Sequence, residues 1–161
     1  MGKAQWQRRW RRWTGLTGQE RRLLGEAACT LALARGAVLT LPFRTIAARL
    51  GTTPITSATH LASAQVVPAQ QIGWAVRTVA RYTPWDSNCL AQAIAAKTML
   101  RLRRIPSTLY LGVAKKVTDP AQLEAHAWVT YGDQVLTGAP GHERFTIIAT
   151  YGDPPSQRRT D

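Results

Sequence analysis

The apolar pattern of this chain changes its period once, close to Pro106. Before this residue the apolar positions recur at the three- and four-residue spacing of helices, and after it they follow the β-branched, alternating pattern of strands. A run of helices followed by a run of strands indicates an α+β fold. The sequence therefore predicts a helical N-terminal half followed by a further helix packed on a small antiparallel sheet.

Four helices are expected before this change of period. Their approximate bounds are residues 18–35, 42–51, 68–82 and 87–104. Thr17 and Glu20 have the spacing of a capping box, which predicts where the first helix begins. Residues 52–66 are rich in Thr, Ser and Ala and are expected to form a loop, with room for a short helix around 57–65. The basic end of the last helix, from Lys97 to Arg104, complements the helix dipole and is expected to be solvated.

Four strands are expected after the change of period. Their approximate bounds are residues 108–113, 123–131, 134–137 and 145–151. Gly132 and Asp133 make a tight turn, so the second and third strands should form a hairpin. Within one residue of register, this hairpin predicts that residues 137–139 lie beside His126.

The length of 161 residues suits one folded domain. We expect a basic segment at 1–16, a domain at 17–153 with a helical part at 17–82, and a flexible tail at 154–161. The chain has only two cysteines, far apart in sequence, so a disulfide framework is not expected and a reducing, cytoplasmic location is favoured. Neither a signal peptide nor a membrane-spanning helix is expected.

The formal net charge of +12 favours an anionic partner, such as an acidic peptide, an acidic protein, a nucleic acid or a lipid surface. Trp6, Trp10 and Trp13 recur at the spacing of one helix face, in a segment that has basic residues and no acid. They are expected to dock on the domain or on a partner protein, or else to make peripheral contact with a membrane.

Cys89 lies in the first turn of the fourth predicted helix. Asp86, Ser87 and Asn88 precede it, and such a cluster is typical of a helix N-cap. Near the second or third helical position, unpaired backbone N–H groups and the helix dipole favour a thiolate. His126 follows on a strand. This layout predicts Cys89 as a nucleophile and His126 as general base and acid, with the backbone N–H of Cys89 in an oxyanion hole.

The third member of such a site is not evident. The residues predicted beside His126 are Thr137, Gly138 and Ala139, and none of them is a carboxylate. The candidates to orient His126 or to stabilise an oxyanion are Asn88, Asp86, Thr137, Asp133 and Glu143. The alternative interpretation is that Cys89 is a buried packing residue and His126 a hydrogen-bonded core histidine.

Other residues have simpler interpretations. Trp85 and Trp128, each close in sequence to a member of the pair, are candidate contacts for substrate or a partner. Cys29, among Ala and Leu in the first helix, is expected to be a small buried hydrophobic residue. His60 and His142 are expected at the surface. The sequence has no close Cys/His cluster, so no metal site and no cofactor is expected.

Several stretches together resemble one known family. They are Glu20–Leu24, Leu41–Arg44, Pro84–Leu90, Leu100–Pro106 running into Leu111–Val113, and Ala125–Val129. In this order they resemble the lasso-peptide biosynthesis leader peptidase, the standalone protease half of the B protein, among the transglutaminase-like cysteine proteases.

The resemblance implies a transglutaminase/papain-like core over residues 83–153, with Cys89 as nucleophile and His126 as base and acid. It implies removal of the leader peptide from a ribosomally made precursor. The implied partners are that precursor, a leader-binding recognition-element protein on another chain and an ATP-dependent lasso cyclase. Many family members have an Asp near the place that Thr137 and Gly138 occupy here. His126 is therefore expected to be oriented by a backbone carbonyl, by water or by a side chain from elsewhere.

Two other functions compete with hydrolysis. The same pair could transfer the acyl group to an amine, as a transglutaminase does. Alternatively, the basic surface could make the chain a non-catalytic module that binds anionic partners. No helix-turn-helix or RNA-binding signature is present in the sequence, so no nucleic-acid partner is expected.

Overall fold

A computed structural model describes residues 15–51, 62–83 and 88–153 of the chain. The helices are α1 (Gly18–Thr40), α2 (Phe43–Leu50), α3 (Ser63–Ala80) and α4 (Cys89–Leu102). The strands are β1 (Thr108–Lys116), β2 (Asp119–Tyr131), β3 (Gln134–Thr137) and β4 (Thr146–Gly152), and a short 3₁₀ helix, His142–Arg144, precedes β4. The predicted α+β class is confirmed.

The capping box located the start of α1, whereas the end of this helix was predicted too early. The capping box of α1 is formed, since Glu20 N–H donates to Thr17 Oγ1 at 3.2 Å and Thr17 N–H donates to Glu20 Oε2 at 2.7 Å. The predicted end at residue 35 was wrong, because α1 continues through Gly36 to Thr40. A single glycine weakens a helix by only about 1 kcal/mol. The helix ends where Pro42 holds the preceding residue in an extended conformation.

Pro68 does not start α3, as the sequence suggested, but lies inside it. The helix begins at Ser63. A proline in a helix removes one hydrogen bond, here to the carbonyl of Ala64. Because Ala64 is exposed, water can satisfy that carbonyl, and the helix tolerates the proline. Most of the predicted 52–66 loop, namely residues 52–61 with His60, lies outside the described residues.

The four strands form one antiparallel sheet in the order β3-β2-β1-β4. Helix α4 lies at the centre, where it contacts the helices α1 and α3 as well as the strands β1, β2 and β3. Most of its residues are therefore buried, among them Ala91, Ala93, Ile94, Ala95, Ala96, Met99 and Leu100. Small alanine side chains let the neighbouring elements approach α4 closely, and this fixes the position of its first residue relative to β2.

The basic end of α4 is only partly solvated. Arg101, Arg103 and Arg104 are exposed, as expected, but the prediction was wrong for Lys97. Lys97 is 1% exposed, and its Nζ donates to the Ser107 carbonyl at 2.9 Å and to Asp153 Oδ2 at 3.1 Å. Burial lowers the pKa of Lys97, while the charge of Asp153 opposes that effect. Arg103 pairs with Glu26 of α1, with nitrogen–oxygen distances of 2.7 and 2.6 Å. These contacts tie α4 to the sheet and to α1.

Helix α1 is long and apolar enough to cross a membrane by length and composition, a test that core helices of soluble proteins also pass. One face of it packs in the core through Leu23, Leu24, Ala27, Leu31 and Ala34. Cys29 lies on the opposite face and is exposed, so the prediction that it is buried was wrong. Alanine and leucine occur on both faces of α1, and composition alone did not distinguish them.

Candidate active site

Cys89 is the first residue of α4. The Asn88 side chain caps the helix by accepting a hydrogen bond from Ala91 N–H at 3.0 Å, and the Asn88 carbonyl accepts one from Gln92 N–H at 3.2 Å. The capping prediction is confirmed, although Cys89 is the first helical residue rather than the second or third. The thiol therefore lies at the positive end of the helix dipole, where a thiolate is stabilised. Asn88 makes no hydrogen bond to His126, so it is not the group that orients the imidazole.

His126 lies on β2, directly opposite Gly112 of β1. Its Nε2 is 2.8 Å from the carbonyl oxygen of Gly138. A carbonyl oxygen can only accept, so Nε2 carries the proton and, in the neutral ring, Nδ1 carries the lone pair. The predicted proximity of residues 137–139 to His126 is confirmed. The orienting group is a backbone carbonyl, one of the three alternatives that the sequence left open.

Gly138 has a conformation and surroundings that exclude a side chain. Its φ is +74°, in the left-handed region. A Cβ at this position would collide with the carbonyl oxygen of Ala127 and would lie 2.8 Å from Cβ of Trp128. An aspartate at residue 138 could not be accommodated without moving β2. The Asp that the resemblance led us to expect is thus replaced here by the carbonyl of a residue that has to be glycine.

Aromatic side chains hold the His126 ring on its other sides. The ring centroid lies 4.9 Å from that of Phe145 and 6.0 Å from that of Trp128, with both pairs stacked. Gly112 leaves the space that the Trp128 indole and Phe145 fill. Trp128 is only 4% exposed, so the structure argues against the predicted substrate contact and gives it a packing role. His142 is half-buried, and its ring centroid lies 5.8 Å from that of Trp128.

Cys89 and His126 line the same cavity, which has a volume of about 330 Å³. The other described residues in its lining are Arg77, Ala80, Arg81, Gln92, Gly138 and Pro140. Sequence reasoning missed the two arginines and Gln92. Their spacing held a signal, since Arg77 and Arg81 are four residues apart near the end of α3, and Gln92 follows Cys89 by three residues.

The remaining candidates lie elsewhere. Thr137 is fully buried opposite Val129, and its hydroxyl has no hydrogen-bond partner among the described residues. Asp133 is exposed in the turn between β2 and β3, and Glu143 is exposed beside His142. Asp86 and Trp85 lie outside the described residues. A larger cavity of about 530 Å³ between α1 and α3 has no cysteine or histidine in its lining.

A family model described as the transglutaminase-like superfamily matches residues 37–150, which is most of the chain. The chain belongs to the transglutaminase-like superfamily. Members of this superfamily are typically cysteine-dependent enzymes, either proteases or acyl transferases. The match includes the helix that begins at Cys89 and the strand that carries His126. No curated protein and no solved structure matches the chain.

Replacing Gly138 with alanine is expected to destabilise the protein by about 2–4 kcal/mol, because the left-handed φ and the contact with β2 both oppose a Cβ. Urea denaturation measures this change. The matched control is Gly25→Ala, an exposed site in α1 where a Cβ would meet nothing within 4 Å. There we expect a gain of about 0.5–1 kcal/mol. Equal denaturation midpoints for Gly138→Ala and wild type would contradict the conclusion that residue 138 has to be glycine.

Proposed function

We propose that this protein is a cysteine endopeptidase that removes the leader peptide from a lasso-peptide precursor. The observation that carries the proposal is the placement of Cys89, at the start of α4, and His126, on β2, in the lining of one cavity. Superfamily membership supports cysteine-dependent chemistry in general. The leader-peptidase assignment rests on the resemblance of the stretches around these two residues.

The first half of the proposed reaction is acylation of Cys89. His126 accepts the thiol proton at Nδ1, the nitrogen whose lone pair the Gly138 hydrogen bond leaves available. The thiolate attacks the carbonyl carbon of the scissile peptide bond, and the oxygen becomes an oxyanion. The backbone N–H of Cys89 has no partner within the helix and can donate to that oxyanion. His126 then protonates the leaving amine, the C–N bond breaks, and a thioester to the leader remains.

The second half is hydrolysis of the thioester. His126 accepts a proton from water, and the resulting hydroxide attacks the thioester carbonyl. The C–S bond breaks, Cys89 leaves as the thiolate, and the leader is released with a new carboxylate. The stacked rings of Phe145 and Trp128 and the Gly138 carbonyl hold the imidazole in one orientation for both proton transfers.

The proposal includes partners and a location. The precursor is the substrate, a leader-binding recognition-element protein presents it, and an ATP-dependent lasso cyclase uses the released amine. All of these act in the cytoplasm. The N-terminal Trp/Arg segment, which lies outside the described residues, is proposed to dock on this domain or on a partner, with peripheral membrane contact as the other possibility. The net charge of +12 supports an acidic leader or an acidic partner protein.

The experiment is cleavage of the precursor in water enriched in heavy oxygen, with the leader-binding protein present and absent. The purified chain is expected to release leader that carries one heavy oxygen in its new carboxylate, as detected by mass spectrometry. A leader joined to an amine, without label, would assign acyl transfer in place of hydrolysis. Intact precursor under both conditions would refute the proposed function.

A further inference from the structure

The cavity that contains Cys89 and His126 also has two arginines in its wall. Arg77 and Arg81 come from the end of α3, one helical turn apart, and both line the cavity. Arg77 Nη1 donates to the carbonyl of Leu136 in β3, and Gly73 leaves room for this contact because a Cβ there would be 2.8 Å from the same carbonyl oxygen. The Arg77 guanidinium is therefore held in place, whereas Arg81 is exposed.

No acid neutralises these two arginines in the part of the chain that the structure describes. Glu26, Glu124, Glu143 and Asp153 pair with other basic residues. Glu20 and Asp119 accept hydrogen bonds from their own turns, and Asp133 lies in the β2–β3 turn. Burial and, secondarily, the nearby charge of Arg81 lower the pKa of Arg77. Two like charges beside one cavity repel each other, and a bound anion relieves that repulsion.

A role in the helix alone does not account for this arrangement. Arginines near the C-terminus of α3 also complement its dipole, and such a role requires no ligand. Arginines that only complement the helix dipole could point in any direction around the end of α3. Here both arginines face the cavity that also contains the candidate nucleophile, and none of the described lining residues is acidic.

We propose that Arg77 and Arg81 form a carboxylate-binding subsite that selects peptides with an acidic side chain close to the scissile bond. This inference rests on the proposed function for the identity of the substrate, but not for the anion site itself. A guanidinium group binds a carboxylate through two parallel N–H···O bonds, which fixes orientation as well as charge. Arg77 retains donors beyond the one used by Leu136, and Arg81 can close over the bound group.

The test compares two alkylating probes, iodoacetate and iodoacetamide, at Cys89 of the intact chain. Both react when the thiolate displaces iodide, and they differ in the carboxylate that only iodoacetate carries. The ratio of the two rates cancels any change in thiolate content, so it reports attraction of the carboxylate alone. Peptide mapping by mass spectrometry separates Cys89 from Cys29, which is exposed on α1 and serves as an internal reference.

Arg81→Gln is expected to lower the iodoacetate-to-iodoacetamide ratio at Cys89 by about three- to tenfold, the range of a partly solvated charge-assisted contact. The ratio at Cys29 should not change. Arg44→Gln removes the same charge from the exposed surface of α2, outside the cavity lining, and should leave the ratio at Cys89 unchanged. An equal fall in both variants, or no fall in Arg81→Gln, would overturn the subsite.

A second measurement identifies the source of the carboxylate. In a precursor that is cleaved, changing the acidic residues next to the scissile bond to their amides should lower kcat/KM about tenfold for wild type. The same change in the precursor should have little effect on kcat/KM for the Arg81→Gln variant. The proposed selection of acidic substrates is overturned if the cleaved precursor has no acid next to the scissile bond. It is also overturned if the change to amides lowers kcat/KM equally for wild type and Arg81→Gln. Failure of all cleavage refutes the proposed function and leaves the alkylation result to decide the anion site.

Discussion

Replacing Cys89 with alanine is expected to abolish leader removal while the protein stays folded. In a covalent mechanism no other group can form the thioester, and removal of a nucleophile from a comparable hydrolase lowers kcat by about 10⁶-fold. Alanine is a good helix former, so α4 should still begin after the Asn88 cap. Cleavage is measured by mass spectrometry of the precursor, and folding by circular dichroism and urea denaturation.

The control for this variant is Cys29→Ala. Cys29 is the other cysteine of the chain, and it is exposed on α1, away from the cavity. The Cys29→Ala variant should retain wild-type cleavage and lose only the reactive thiol at the surface of α1. Cleavage at a normal rate by folded Cys89→Ala would remove Cys89 from the mechanism. An equal loss of cleavage in Cys89→Ala and Cys29→Ala would indicate a general effect of removing a thiol, and not a nucleophile at residue 89.

Replacing His126 with alanine is expected to lower kcat by about 10³–10⁴-fold, because both proton transfers lose their carrier. The side chain also packs on Phe145, so this variant can lose stability. His126→Gln addresses that difficulty, since an amide N–H can still donate toward the Gly138 carbonyl but cannot act as a base near neutral pH. Both variants are measured by single-turnover cleavage, together with their unfolding midpoints.

His142→Ala is the matched control for loss of an imidazole. His142 lies against Trp128 and its Nδ1 is 2.8 Å from the carbonyl oxygen of Ala139, but it does not line the cavity. The His142→Ala substitution should destabilise the protein without a comparable loss of the cleavage rate per folded molecule. A near-normal rate for His126→Gln, or an equal loss for His142→Ala, would show that His126 is a packing residue and not the base.

The elements that local signals specify were predicted well. Helix caps at Thr17 and Asn88 depend on side chains that bond to backbone within three residues, so the sequence places them without knowledge of the fold. The turn at Gly132 and Asp133 sets the register of β2 and β3, and this put residues 137–139 beside His126. Both features depend on neighbours in the chain.

Predictions that depended on burial were less reliable. Lys97 was expected in solvent, Cys29 in the core, and Trp128 at a binding surface. In the structure Lys97 is buried beside Asp153, Cys29 is exposed, and Trp128 is covered by the rings around it. The burial of Lys97 depends on a partner far away in sequence, since Asp153 is 56 residues from it.

The sequence by itself determined that a cysteine lies in the first turn of a capped helix and that a histidine follows on a strand, because helix caps and strand periodicity are local. Only the tertiary structure decided that Cys89 and His126 share one cavity, that the Gly138 carbonyl orients the imidazole, and that Arg77 and Arg81 form part of the wall. These relations depend on how α3 and α4 pack against β2 and β3. Packing distances between distant segments are set by side-chain volumes at many contacts, and no single stretch of sequence encodes them.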